Sequence, residues 1–102
     1  MFSTELIQQV KRKLNITWSD EDTDANVLDI MESAAVILRR KLGIKDESFD
    51  FSAPGAENLL FRAYCLYDYN HRAEEFDENY ANDIAQTRDK HLLNSLEVSG
   101  DE

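Results

Sequence analysis

The stretch LLFRAYCLYDYN, Leu59–Asn70, decides the fold because it is apolar or aromatic around almost the whole helical wheel. It holds one phenylalanine, three tyrosines and the only cysteine of the chain, and only Arg62, Asp68 and Asn70 are plainly polar. A helix with so few polar positions is expected to lie at the centre of a helical protein. Cys65 is then expected to be a small buried side chain and not a nucleophile.

Helix-breaking residues are rare in the rest of the chain. Pro54 is the only proline, and Gly43, Gly55 and Gly100 are the only glycines. Helical spacing therefore dominates, and we predict an all-α fold: a small four-helix bundle-like domain with an extended loop between helices two and three. The expected organisation is a single helical domain over residues 1–96 and a flexible acidic tail over residues 97–102.

The apolar periods predict four helices, with approximate bounds Thr4–Leu14, Asp22–Leu42, Gly55–Arg72 and Asp77–Leu96. Gly43 is expected to stop the second helix by adopting a left-handed conformation. The segment AEEFDE, residues 73–78, lies between the third and fourth helices and is either a loop or a bend in one long helix. Leu28 and Leu92 are among the residues expected to face the core.

Charge is distributed unevenly between the two halves of the chain. Residues 1–45 hold seven acidic and seven basic residues, so the whole net charge of −10 comes from residues 46–102. Such acidity repels phosphate backbones and argues against a protein that binds nucleic acid tightly. Two basic triplets, 11–13 and 39–41, fall at predicted helix C-termini, where they offset the exposed carbonyls. They are equally suited to contact with an acidic surface on another copy or partner.

Two groups of residues are candidates for contact with other molecules. The first, called the interface set, comprises Lys11, Arg12, Lys13, Arg39, Arg40, Lys41, Phe49 and Phe51. The second, called the acidic set, comprises Asp77, Glu78, Asp83, Asp89 and Glu97, and is expected to face a channel lumen or a partner. The two phenylalanines alternate in a segment without a helical period. We favour their packing under their own loop over their presentation to another protein.

The sequence lacks the residues that motifs for metal binding or catalysis require at fixed positions. A calcium loop starting at Asp20 has Ala25 where a glycine is needed and Met31 where a glutamate must close the cage. His71 precedes Glu74 by three residues, the reverse of the order used in di-iron bundles. There is no glycine-rich phosphate loop, nucleophile elbow or paired-cysteine motif, and no apolar run is long enough for a bilayer. We therefore expect no metal, no cofactor, no membrane span and no enzymatic activity.

Three short elements occur in a characteristic order. They are VKxxL in the first helix (Val10, Lys11, Leu14), an acidic start to the second helix followed by Leu-x5-Ala-Ala (Leu28, Ala34, Ala35), and Tyr-Asn-x-Arg (Tyr69, Asn70, Arg72). In this order and spacing, residues 4–76 resemble the small head-tail connector proteins of tailed bacteriophages. That family is also called the adaptor or head-completion proteins.

The resemblance implies a structural protein of a phage virion, made in the host cytoplasm. Identical copies would form a ring, dodecameric when assembled, beneath the portal protein after DNA packaging. The ring would extend the DNA channel and dock the stopper or tail-completion protein, and double-stranded DNA would pass through it without specific binding. Because the portal orders the ring, the isolated chain is expected to be largely monomeric.

Two other classes of protein fit parts of the sequence. An acyl carrier protein is also small, acidic and four-helical, and is the main alternative, as a carrier or protein-binding module. Carriers need a serine in an Asp-Ser-Leu context at the start of their second long helix, and neither SDEDTDAN (19–26) nor ESAAV (32–36) supplies it. A mass increase after incubation with a phosphopantetheinyl transferase would identify a carrier. A regulatory DNA-binding protein is a third class, which the acidity opposes.

Overall fold

A computed structural model describes the backbone of residues 2–100 and the side chains of residues 2–93. Within this part the chain is all-helical and contains no strand, which confirms the all-α class. The helices are α1 (Thr4–Lys13), α2 (Glu21–Leu42), α3 (Ala56–Tyr69), α4 (Ala73–Asn79) and α5 (Ala81–Gly100). The expected single fourth helix is thus wrong, because AEEFDE forms most of a separate helix and Tyr80 divides α4 from α5. The predicted tail, residues 97–102, falls outside the described side chains.

The first two helices begin at side-chain caps. Ser3 accepts a hydrogen bond from the backbone amide of Leu6 at 3.1 Å, and Asp20 accepts one from the amide of Thr23 at 2.8 Å. Each bond satisfies an amide that has no partner within its own helix. The Asp20 cap places the start of α2 at Glu21, one residue before the expected position.

Left-handed residues mark the ends of α2 and α3. Gly43 has a φ of 70°, and the amide of Ile44 donates to the carbonyl of Arg39 at 2.9 Å. Ile44 is buried against the core, so the predicted stop of α2 is confirmed. Helix α3 ends at Tyr69, earlier than expected, because the chain turns out of the helix where His71 has a φ of 60°.

Helix α3 lies at the centre of the molecule and contacts all four other helices. Its buried apolar side chains are Leu60, Phe61, Ala63, Tyr64 and Cys65. They join a single core with the inner faces of α1 and α2, which include Val10, Val27, Met31 and Leu38. The prediction that the opening stretch forms a central helix, with a buried Cys65, is confirmed.

Aromatic contacts attach the connecting segments to this core. Phe51 stacks on Phe61 with ring centroids 4.8 Å apart, which anchors the segment between α2 and α3. Phe76 of α4 packs edge-on against Tyr64 at 5.1 Å and stacks on Tyr80 at 5.0 Å. Such pairs stabilise the fold beyond the area they bury. They explain why α4 lies close to α3 despite its short length.

Two leucines expected in the core lie on the surface. Leu28 is 39% exposed, because the side of α2 that packs on its neighbours is the one carrying Val27 and Met31. Leu92 is 57% exposed, because α5 packs on the rest of the chain through residues up to His91. Both predictions of burial were therefore wrong, and both leucines belong to exposed apolar surfaces described below.

Replacing Phe61 with alanine is expected to lower the free energy of unfolding by about 3–5 kcal/mol, since the ring is completely buried and the cavity cannot close. Leu59→Ala is the matched control on the same helix. Leu59 is 62% exposed, so its truncation is expected to cost less than about 1 kcal/mol. Urea unfolding followed by circular dichroism measures both values, and equal losses would contradict the central position of α3.

Candidate functional site

The basic residues of the interface set lie in the last turns of α1 and α2, as predicted. Their exposure differs widely. Arg12, Lys13 and Arg40 are exposed, whereas Lys11 is buried and Lys41 is half-buried. The interface set therefore does not form one continuous basic surface.

Lys11 forms an ion pair and a hydrogen bond with residues of its own chain. Its side chain is 10% exposed, and its Nζ lies 2.6 Å from Oδ1 of Asp24 and 3.3 Å from Oγ of Ser19. The hydrogen bond from Lys11 holds the pKa of the Asp24 carboxyl below its usual value. This pair connects the end of α1 to the first turn of α2, so its role in the structure is internal.

Lys41 joins the two candidate sets within a single molecule. Its Nζ lies 2.8 Å from both carboxylate oxygens of Asp77, which links the end of α2 to α4. The complementarity of basic and acidic surfaces, expected between molecules, is thus partly satisfied within one chain. Glu78, Asp83 and Asp89 of the acidic set are exposed on α4 and α5, and Glu97 lies outside the described side chains.

Phe49 and Phe51 pack together in the segment between α2 and α3. Their ring centroids are 5.0 Å apart in an edge-on arrangement. Phe51 is 2% exposed, so the favoured prediction of packing under its own loop is confirmed for this residue. Phe49 is half-buried and also contacts the ring of His91 at 5.6 Å.

A groove runs between α1, α2 and residues 47–52, and we call it the α1–α2 groove. Its larger apolar lining residues are Phe2, Leu6, Ile7, Leu28, Val36, Phe49 and Phe51. Its charged lining residues are Asp29, Glu32, Arg39, Glu47 and Asp50. Val36 is 49% exposed, and it lies about two helical turns closer to the C-terminus of α2 than Leu28, which is 39% exposed. The groove is thus an apolar surface with an acidic margin.

A second exposed apolar surface lies just past the middle of α5. Leu92 and Leu93 are 57% and 58% exposed, and we call them the α5 leucine pair. The neighbouring charged residues on α5 are Arg88, Asp89 and Lys90. Adjacent exposed leucines on one helix are typical of a contact surface.

Glu57 forms an ionic cluster that was missed in the sequence. Its Oε2 lies 2.8 Å from Nε2 of His91 and also pairs with Nζ of Lys90. Burial raises the pKa of the Glu57 carboxyl, but hydrogen bonds from Lys90, its own backbone and His91 outweigh burial, so the pKa lies below its usual value. Because the partners are 34 residues apart on different helices, no spacing in the sequence indicates the cluster.

The described residues lack two other kinds of functional feature. Among them, no three His, Cys, Asp or Glu side chains are grouped closely enough to hold a metal ion. None of the helices described combines the length and the apolarity that crossing a membrane requires. Within the described part of the chain, the candidate site therefore consists of the surfaces defined above.

Comparisons of the chain with family models, curated proteins and solved structures found no match. The likeness to connector proteins therefore rests on its three sequence elements. In the structure, Val10, Leu14, Ala34 and Ala35 from these elements are buried. Arg72 of the third element is exposed.

Replacing Glu57 with glutamine is expected to destabilise the protein at neutral pH. The folded-state pKa of Glu57 is lowered, so its contribution to stability is present above the usual value of 4.5 and is lost as pH falls through the folded-state value. The difference in unfolding free energy between wild type and Glu57→Gln should therefore shrink below about pH 4.5. Glu78→Gln, at an exposed carboxylate of α4, controls for the lost charge. Parallel acid profiles for Glu57→Gln and wild type would contradict the cluster.

Cys65 is expected to resist thiol reagents in the folded protein. The side chain is completely buried, and burial raises the pKa of its thiol. Since modification requires opening of the core, labelling by a disulfide reagent at pH 8 should be about a hundredfold or more slower than after unfolding in urea. A Cys65→Ala, Ser33→Cys variant, which places the thiol on the exposed side of α2, should react at once. Equally rapid labelling of the wild type would show that Cys65 is accessible.

Proposed function

We propose that this chain is a head-tail connector, or adaptor, protein of a tailed phage virion. It forms a ring beneath the portal, extends the DNA channel and docks the stopper or tail-completion protein after DNA packaging. The observation that carries the proposal is the order and spacing of the three sequence elements over residues 4–76. Two exposed apolar surfaces on a small helical body support it, because a ring subunit needs contact surfaces.

In the proposed ring, α1, α2, α3 and α5 act as a four-helix bundle-like body. The segment between Gly43 and Gly55 is the extended loop between the second and third helices. The aromatic anchor at Phe51 holds this loop against the body. A rigid body suits a part that must transmit the position of the portal to the next protein in the tail.

The exposed bases and acids of the chain have different proposed roles. Arg12, Lys13 and Arg40 contact acidic surface on the portal or the stopper. Glu78, Asp83 and Asp89 face the lumen, where negative charge keeps the duplex from adhering. Each lysine or arginine contact to phosphate adds binding and slows the passage of DNA, so an acidic lumen favours movement in both directions. The proposed function requires no enzymatic step and no cofactor.

Electron microscopy of portal rings mixed with this chain tests the proposal. The portal should come from the phage whose genome encodes the chain. We expect added density beneath each portal ring, at a stoichiometry set by the portal, while the free chain sediments as a monomer. Portal rings without added density, at chain concentrations of up to about 100 μM, would contradict the proposed function.

Replacing both Arg12 and Lys13 with glutamine is expected to lower the occupancy of portal rings several-fold, because it removes two positive charges from the proposed contact. Both side chains are exposed, so the substitution should leave the core intact. Lys45→Gln is the matched control, since Lys45 is an exposed cation outside the interface set. Occupancy measured by quantitative binding to immobilised portal should fall for the double variant alone. Equal binding by all three proteins would remove these two residues from the proposed portal or stopper contact.

A further inference from the structure

We infer that the α1–α2 groove is a docking site for a basic amphipathic helix of another protein. The apolar side chains of that helix contact the apolar lining of the groove, and its lysines or arginines contact the acidic margin. The inference goes beyond the proposed function and does not depend on it, because it follows from the residues that form the groove.

Apolar side chains of the groove stay open to solvent in the folded chain. Leu28 and Val36 are both exposed, although they belong to a helix that supplies much of the core. Phe49, from the segment 47–52, is half-buried. A ligand that covers these side chains removes apolar surface from water, which favours binding.

Leu28 and Val36 set the spacing of the side chains that can dock. They are eight residues apart on α2, which corresponds to about 12 Å along the helix axis. A helix that lies along α2 presents residues i and i+7 or i+8 on one face with about the same separation. The ligand is therefore expected to carry apolar residues at i, i+4 and i+7 or i+8.

The walls of the groove favour a helical ligand over an extended one. Two of the walls are helices, and the described part of the chain has no strand whose edge could pair with an extended segment. An extended peptide therefore gains no ladder of backbone hydrogen bonds here, whereas a helix satisfies its own backbone groups. Binding of an amphipathic helix in an apolar groove is an established mode of peptide recognition.

The charge of the groove selects a basic ligand. Four carboxylates, Asp29, Glu32, Glu47 and Asp50, and one cation, Arg39, line it, which gives a net charge of −3. All four carboxylates are exposed, and none of them forms an ion pair with another described residue. They are therefore available to lysines or arginines of a ligand, and such pairs at the margin of an apolar contact improve its specificity and its rate of formation.

The stretches of sequence that form the groove contain no base other than Arg39. They fall within residues 2–10, 14–39 and 46–61, and these ranges hold eleven acidic residues. Two of the eleven, Asp24 and Glu57, pair with lysines from elsewhere in the chain. The acidic character of the groove thus extends to the segments around it.

A second copy of the chain does not have the properties of this ligand. Each copy has a net charge of −10, so two copies repel each other at long range. The basic triplets 11–13 and 39–41 end helices whose neighbouring apolar residues, Val10, Leu38 and Leu42, are buried in the core. The triplets therefore present bases without an exposed apolar face, and the ligand is a segment of a different protein.

Fluorescence anisotropy with a synthetic probe tests the chemistry of the ligand. The probe is a labelled peptide of about 15 residues, or about four helical turns, with leucines at helical spacing and lysines elsewhere. Two matched probes replace either every lysine with glutamate or every leucine with serine. We expect the basic amphipathic probe to bind the full chain about tenfold or more tighter than either matched probe at an ionic strength of about 0.15 M. Equal binding of the three probes, or preference for the glutamate probe, would overturn the inference.

Two double variants with the same change in net charge test whether the probe binds at the groove. Asp29→Lys, Glu32→Lys should weaken binding of the basic probe by about tenfold or more, because it reverses the charge of the lining. Glu74→Lys, Glu78→Lys, at exposed sites on α4, should weaken it by about twofold at most, because salt screens distant charges. Equal losses would show that the probe responds only to net charge and would overturn the inference.

Single variants test the apolar contact and the position of the charges. Val36→Ser should weaken binding several-fold, and Leu59→Ser, at an exposed leucine of α3 outside the groove, should leave it unchanged. Arg39→Gln should strengthen binding several-fold, since it removes the only cation of the lining. Circular dichroism first establishes that each variant keeps the helix content of the wild type. Unchanged binding by Val36→Ser, or weaker binding by Arg39→Gln, would overturn the proposed arrangement.

Sedimentation of the free chain distinguishes the other occupant. Self-association of the wild type that Asp29→Lys, Glu32→Lys abolishes, without binding of the basic probe, would identify a second copy as the ligand and overturn the inference. A chain that stays monomeric while binding the basic probe would support it. None of these measurements uses the portal, so their outcome is independent of the proposed function.

Discussion

Helix α3 has almost no polar side, and the fold follows from the need to cover it in every direction. Helices α1, α2, α4 and α5 all contact it, and its aromatic side chains extend the contact to the connecting segments. In a chain of 102 residues, covering α3 on every side uses most of the apolar side chains that are present. The apolar groups left outside, in the α1–α2 groove and on α5, are therefore informative. Together with Trp18 and Leu59, they are the large apolar side chains that the described residues leave exposed.

Three of the eleven lysines and arginines of this acidic chain connect two helices. Lys11 pairs with Asp24 between α1 and α2, Lys41 pairs with Asp77 between α2 and α4, and Lys90 pairs with Glu57 between α5 and α3. Each pair also neutralises one carboxylate, so the three pairs leave the net charge unchanged. The net charge of −10 is therefore carried by the other charged residues.

Local features were predictable from the sequence, and contacts between distant residues were not. The all-α class, the stop at Gly43 and the central α3 follow from helical period and from glycine geometry, which act within a few residues. The exposure of Leu28 and Leu92, and the pairing of Glu57 with His91, depend on which side of a helix its neighbours cover. The residues behind the connector resemblance, such as Val10 and Ala34, turn out to be buried packing positions. These residues therefore give information about the packing of the core and little about the exposed surfaces.

The contact between Phe49 and His91 joins the α1–α2 groove to α5 through one side-chain pair. Phe49 lines the groove, while the ring of His91 lies 5.6 Å away and is bound to Glu57 of α3. One wall of the groove is therefore also part of the packing that holds α5 against α3.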